Sequence, residues 1–241
     1  GEGSAKIKGQ HVADTGDFDA IINTQDLPLG TFTKDMTTPI TGNIDGEIRI
    51  LGKNNQVTDA VGAVEGRQIG IHGVVVDTVK ANFTHADNRT NITVVGTMGD
   101  GTLSGYGYIQ NGNVDATISG NALPLTALSP IIGQDVDGTL NTSFAIKGIV
   151  DNPNVTGTVW GQEVHYKGAR FNNIHGDIKL DNHILTIING HIGDGDGGYD
   201  VNGWYNLDTD ALDLNARARA ARIENVIRTV TDVPIKIGRA H

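Results

Sequence analysis

The sequence has no cysteine, which excludes disulfides and thiolate metal sites. Proline is scarce, with 6 in 241 residues, and aromatic residues make up only 5%. Long apolar runs are also missing: no stretch approaches the roughly 18 residues of a membrane span. The chain opens Gly1-Glu2-Gly3-Ser4, with neither the basic nor the apolar region of a signal peptide, and reads as either a whole soluble protein or a piece of a longer one. Basic residues are in the minority, 18 against 28 acidic, giving a formal charge of −10. Nucleic acid or an anionic membrane surface as main partner would require a basic face, so both are excluded. Catalytic signatures are missing as well. There is no Gly-Lys-Ser/Thr phosphate loop and no nucleophile elbow, and Asp100 and Asp194 have no carboxylate partner legible in the sequence. The reading is a non-enzyme without cofactor or metal.

What is present is strand-forming. Thirty-three glycines, with abundant Thr, Asn, Asp, Val and Ile and few Glu and Lys, describe strands joined by tight turns. The fold class expected is all-β. Apolar and polar residues alternate over long stretches: Val114, Ala116 and Ile118 against Asp115 and Thr117, Ile44, Gly46, Ile48 and Ile50 against Asp45, Glu47 and Arg49, and Ile174, Gly176, Ile178 and Leu180 likewise. Such strands have one apolar and one wet face. Breaks at Met98-Gly99-Asp100-Gly101, Asn111-Gly112-Asn113 and Gly193-Asp194-Gly195-Asp196-Gly197-Gly198 predict hairpins.

A long internal period accompanies the alternation. Phe18-Asp19-Ala20-Ile21-Ile22 matches Val114-Asp115-Ala116-Thr117-Ile118 at an offset of 96, and Leu27-Pro28-Leu29 matches Leu123-Pro124-Leu125 at the same offset. Leu212 and Leu214 continue the series, 98 beyond Val114 and Ala116. Residues 1–241 therefore read as one continuous β-repeat region, with copies at about 1–100 and 101–198 and a truncated copy at 199–241. Once per copy the spacing becomes i, i+3, i+7, in Leu29, Phe32 and Met36, in Leu125, Leu128 and Ile132, and in Ile223, Val226 and Val230. Each set predicts a short helix, with Pro28 and Pro124 in the first turn of two of them.

A sheet of roughly fifteen strands with one apolar face needs a cover, and three short helices are too small to provide one. Ile, Val, Leu and Ala dominate the alternating positions, and aromatics are too few to fill an interior. A twisted sheet that curls without closing makes an apolar trough on the order of 70 Å long. Exposed apolar surface of that extent implies a ligand or partner. The residues assigned to it are Phe18, Ala20, Ile22, Ile48, Ile50, Val114, Ala116, Ile118, Ile178, Leu180, Leu212 and Leu214.

Other features have plainer readings. His11, His72, His85, His165, His175, His183, His191 and His241 lack ligand spacing on a shared helix and read as polar strand residues. Residues 193–201 partly match a calcium-binding Gly-Asp nonapeptide, but no tandem copy follows, so a hairpin turn is expected. Asn82, Asn88, Asn91, Asn141 and Asn154 head sequons that arise by chance in so Asn- and Thr-rich a chain. Arg217, Arg219, Arg222 and Arg228 read as a solvated helix face, with contact to a lipid headgroup or acidic partner as the alternative. Tyr106 and Tyr108 fall opposite Leu103 and Ile109, either outside or against a capping helix.

The run Ala145-Ile146-Lys147-Gly148-Ile149-Val150-Asp151-Asn152-Pro153-Asn154-Val155-Thr156-Gly157-Thr158-Val159 resembles the recurring Gly, Asn-Pro, Val-x-Gly-x-Val signature of the TamB family and, more broadly, of AsmA-like bridge-type lipid transport proteins. Leu123-Pro124-Leu125, and Gly203-Trp204-Tyr205-Asn206-Leu207 before Leu212-Asp213-Leu214, also resemble the family repeat; around Gln56-Val57-Thr58 the Asn-Pro element is lost. The resemblance covers nearly the whole chain through degenerate, structural motifs. It implies an open, taco-like β-groove that shields phospholipid acyl chains in the periplasm, between inner and outer membrane. It also implies an inner-membrane anchor elsewhere in a longer parent protein and, for TamB proteins, outer-membrane protein assembly with an Omp85-type barrel partner. The competing class is a structural or adhesive β-repeat of a fibre or appendage, with a filled interior.

Overall fold

A computed structural model describes residues 3–35, 39–71, 73–132, 136–222 and 225. The fourteen strands are β1 (Ser4–Val12), β2 (Asp17–Pro28), β3 (Ile40–Lys53), β4 (Gln56–Ile71), β5 (Val74–Ala86), β6 (Arg89–Met98), β7 (Gly101–Gln110), β8 (Asn113–Pro124), β9 (Val136–Ile149), β10 (Asn152–Tyr166), β11 (Ala169–Asp181), β12 (Ile184–Asp194), β13 (Gly197–Asn206) and β14 (Leu212–Arg219). They form one sheet in sequence order, every neighbour antiparallel, with β1 and β14 as its two edges. The sheet is not closed into a barrel.

Helical structure interrupts the meander after β2, as α1 (Gly30–Thr33), and after β8, as a 3₁₀ turn (Leu125–Leu128) running into α2 (Ser129–Ile132). Pro28 and Pro124 are the last residues of their strands rather than first-turn residues, and Pro124 caps the 3₁₀ turn with an extended backbone. The fixed φ of proline suits either place, and the strand ladder here extends up to the ring. Met36, Ile223, Val226, Val230, His72, His241 and Arg228 lie outside the described residues, as does the side chain of Ile132.

The strands alternate between two rims. At the rim opposite the helices, tight two-residue turns reverse the chain with both residues at positive φ: Asn54 and Asn55, Asp87 and Asn88, Asn111 and Gly112, Asn182 and His183. These angles suit the right-handed strand twist, and Asn and Asp tolerate them better than most side chains. Neighbouring turns are stapled by backbone hydrogen bonds, Asn55 N–H to the Gly16 carbonyl at 2.8 Å and Val150 N–H to the Gly112 carbonyl at 2.9 Å.

Near the helix rim the ladders carry bulges, and polar side chains satisfy the backbone freed there. Asp26, at φ 51°, donates its N–H to Asp45 Oδ1 at 2.8 Å; 96 residues on, Ala122, at φ 50°, donates to Asn141 Oδ1 at 2.9 Å. In the turns of the same rim, Gly99 N–H meets Asp77 Oδ2 at 2.7 Å, and Gly195 N–H meets Asn172 Oδ1 at 3.4 Å. An unpaired amide at a bulge costs about as much as a lost hydrogen bond, which explains a polar acceptor on the adjacent strand.

Among the described residues, buried side chains larger than glycine lie near this rim. Leu125 of the 3₁₀ turn packs with Val136, Leu140, Val164, Ala169 and Phe171, and with Met98 these are the buried hydrophobics among the described residues. Among the described residues the rest of the sheet is a single layer, and large apolar side chains such as Ile7, Ile118 and Leu212 remain exposed on it.

Candidate functional site: an apolar sheet face

Paired residues on antiparallel strands project to the same side, so the register alone sorts side chains between faces. A row followed across the sheet reads Ile7, Ile22, Ile48, Gly62, Phe83, Ile92, Gly107, Ala116, Ile146, Val155, Leu180, Leu185, Tyr205 and Leu212. Every strand contributes an apolar residue or glycine. The adjacent row passes through Ala5, Val64, Val94, Gly105, Ile118, Phe144, Ile178 and Leu214, with Thr24 its one hydroxyl. At about 4.8 Å per strand the rows run on the order of 60 Å.

All twelve residues assigned to a trough from the sequence fall on this face: Phe18, Ala20 and Ile22 from β2, Ile48 and Ile50 from β3, Val114, Ala116 and Ile118 from β8, Ile178 and Leu180 from β11, Leu212 and Leu214 from β14. Most are half-buried; Ile118 is 40% exposed, and Leu212 and Leu214 on the edge strand are more exposed still.

The opposite face carries the charges. Arg49 pairs with Asp19 at 2.8 Å, Lys80 with Glu65 at 3.4 Å, and Lys147 with Asp115 at 3.7 Å, each across one ladder. The Arg49 hydrogen bond holds the Asp19 carboxyl below its usual range, and Asn43 followed by Arg67 does the same for Asp26. Tyr106 and Tyr108 are on this face. Tyr106 is 65% exposed and Tyr108 stacks under the Arg89 guanidinium at 3.6 Å, so the outside position, rather than a helix contact, is the one they take. Trp160 and Trp204 project to the same side. Arg217 and Arg219 belong to β14, which corrects their reading as a helix face: the ladder with β13 continues through both, and Arg219 Nε lies 3.3 Å from Asp200.

The smoothness of the apolar face has a cause that alternation does not reveal. Glycines on it are roofed by a neighbour's side chain lying flat across the backbone: a Cβ on Gly62 would collide with the Phe83 ring, on Gly157 with Phe144, on Gly52 with Phe18, and on Gly203 with Leu214. This pairing of a large residue with a cross-strand glycine fills the pleat without a protruding side chain. Over Gly105 of β7 no such side chain lies, while Gly107 is met by the Ala116 methyl, and an apolar depression of about 240 Å³ is flanked there by Ile92, Val94, Ile109, Val114 and Ile118.

Several of the residues weighed for chemistry have hydrogen-bond partners in the sheet and its turns. His85 Nδ1 lies 2.8 Å from Thr90 Oγ1, His183 Nδ1 2.9 Å from Asp208, and His191 Nδ1 3.1 Å from Asp200. Among the described residues no group of three His, Asp or Glu is placed to hold a metal ion. Asp194, from the glycine-rich run at 193–198, is fully buried. Its carboxylate accepts hydrogen bonds from the Tyr199 hydroxyl at 3.1 Å, the Arg222 N–H at 2.8 Å and Asn225 Nδ2 at 2.7 Å. It therefore anchors the segment that follows β14. Burial, with the Asp194 hydrogen bond second, pushes the Tyr199 phenol up to about 12. The only local sequence clue to this anchor is an aspartate between glycines, which reads equally well as a turn.

No helix among the described residues is long and apolar enough to cross a membrane. Comparison with known protein families, with curated proteins and with solved structures finds no match to this chain.

Proposed function

We propose that this chain is a lipid-transfer module, a β-groove that shields the acyl chains of phospholipids as they pass between the inner and outer membranes of a Gram-negative envelope. The observation that carries this reading is the unbroken row of apolar residues and glycines across all fourteen strands, on a face that no second layer covers among the described residues. A one-dimensional path of hydrocarbon favours a one-dimensional ligand, and each acyl CH₂ withdrawn from water contributes about 0.8 kcal/mol. The charged opposite face keeps the outside wet. On this reading the chain is a repetitive segment of a longer periplasmic protein, anchored in the inner membrane through other parts and able to meet an Omp85-type barrel through them. Carriage requires no catalytic group, cofactor or metal.

The test is mass spectrometry of solvent extracts from the protein purified out of a bacterial host. Phospholipid or detergent retained at a reproducible ratio supports the reading. A preparation that retains neither lipid nor detergent, repeated in several detergents, overturns it in favour of a structural β-repeat.

A further inference from the structure

Gly105 of β7 marks a particular place on the apolar face. We propose that Gly105, with Gly107 and the Ala116 methyl beside it, forms the floor of a seat for one saturated hydrocarbon chain, where a passing acyl chain pauses. The proposal rests on the lipid-transfer reading and adds a preferred position to it.

Three observations carry it. First, Gly52, Gly62 and Gly157 are each covered by an aromatic ring of a neighbouring strand, whereas the nearest atoms an added Cβ on Gly105 would meet are Thr117 O at 3.2 Å and Ile118 Cγ1 at 3.4 Å. Gly176 is similarly open, its Cβ meeting the Gly190 backbone at 3.4 Å, but Gly105 is the one that lines the apolar depression. Second, the depression of about 240 Å³ exceeds the ~150 Å³ of an apolar cavity that takes up benzene. Third, its lining is almost entirely carbon, and the β6, β7 and β8 backbones are paired with one another. A peptide laid there would bury amides without partners, at a cost of a few kcal/mol each. An alkyl chain has nothing to satisfy. The corresponding strand 96 residues on, β13, has Val201 in place of Gly105, and its Gly203 is roofed by Leu214. The seat therefore belongs to the β6–β8 stretch and does not recur there.

A palmitic acid analogue with a diazirine in its chain, photolysed on the intact chain and mapped by peptide mass spectrometry, tests this. Gly105→Leu fills the seat. Gly105→Val fills it less and copies the residue that β13 already accommodates, so it guards against misfolding of the leucine variant. Labelling of the wild type should concentrate on Ile92, Ile109 and Ile118. It should fall there by about tenfold in Gly105→Leu and by less in Gly105→Val, with labelling at Ile48 and Ile178 unchanged. Even labelling along the face that ignores both substitutions overturns the seat and leaves the groove standing. Absence of labelling anywhere on the face overturns both.

Discussion

Placing a charge at Ile118 separates carriage from folding, because the side chain is already 40% exposed on the sheet. Full burial of an isoleucine is worth about 1.5–3 kcal/mol, so Ile118→Asp forfeits roughly 1–2 kcal/mol of folding stability, and the carboxylate can still hydrate through the open side. With hydrocarbon lying on the face that hydration is lost. An unpaired carboxylate against an alkyl chain costs several kcal/mol after relaxation, and ~3 kcal/mol is already more than a hundredfold in occupancy. Thr117 points to the opposite face, paired with Tyr106 and Ala145, where a charge should change stability by about 0.5 kcal/mol or less. In the full-length protein Ile118→Asp should impair lipid supply to the outer membrane while Thr117→Asp does not, both accumulating to equal levels. The assay is lipid composition of the outer membrane alongside thermal unfolding of the purified chain. Equal impairment by both substitutions, or by neither, would refute the assignment of this face as the path.

Asp194→Ala should cost about 3 kcal/mol by leaving Tyr199, the Arg222 amide and Asn225 without their common acceptor, seen as a lower denaturant midpoint and faster proteolysis after β14. Tyr199 has its folded pKa raised to about 12, above the usual value near 10, so its contribution is complete below pH ~10 and is lost as pH rises toward 12. Ultraviolet titration should show a late-ionising tyrosine that Tyr199→Phe removes, while Tyr205, raised by its hydrogen bond to Asp210, remains. Asn141→Ala removes the acceptor for the Ala122 N–H at the β8 bulge and should cost about 1 kcal/mol. Asn141→Asp should retain most of it, since Asp45 fills the same place 96 residues earlier.

The strands and the division of their faces are legible in the sequence because alternation and pleat share a period of two: Val114, Ala116 and Ile118 declare their side without knowledge of any partner. The hairpins at Asn111-Gly112 and at Gly99-Asp100 are legible for the same local reason. Turns at Asn54-Asn55, Asp87-Asn88 and Asn182-His183 contain no glycine at all, and their positive φ is imposed by the flanking ladder rather than announced by composition. The bulge acceptors Asp45 and Asn141, and the rings over Gly62 and Gly157, depend on which residue faces which across strands. That information lies in the register, beyond the reach of any single stretch. The basic spacing at Arg217 and Arg219 is compatible with a helix or a strand, and pairing with β13 decides for the strand.

The most direct test of the central claim is a paired photo-crosslinking scan in the envelope, with a crosslinking amino acid at Ile48, Ile118 and Ile178 and at their sequence neighbours Arg49, Thr117 and Asp177. Phospholipid captured at the first three positions and not at the second three is the result expected of an apolar face that carries acyl chains from β3 to β11. Capture at both sets alike, or at neither, would contradict it.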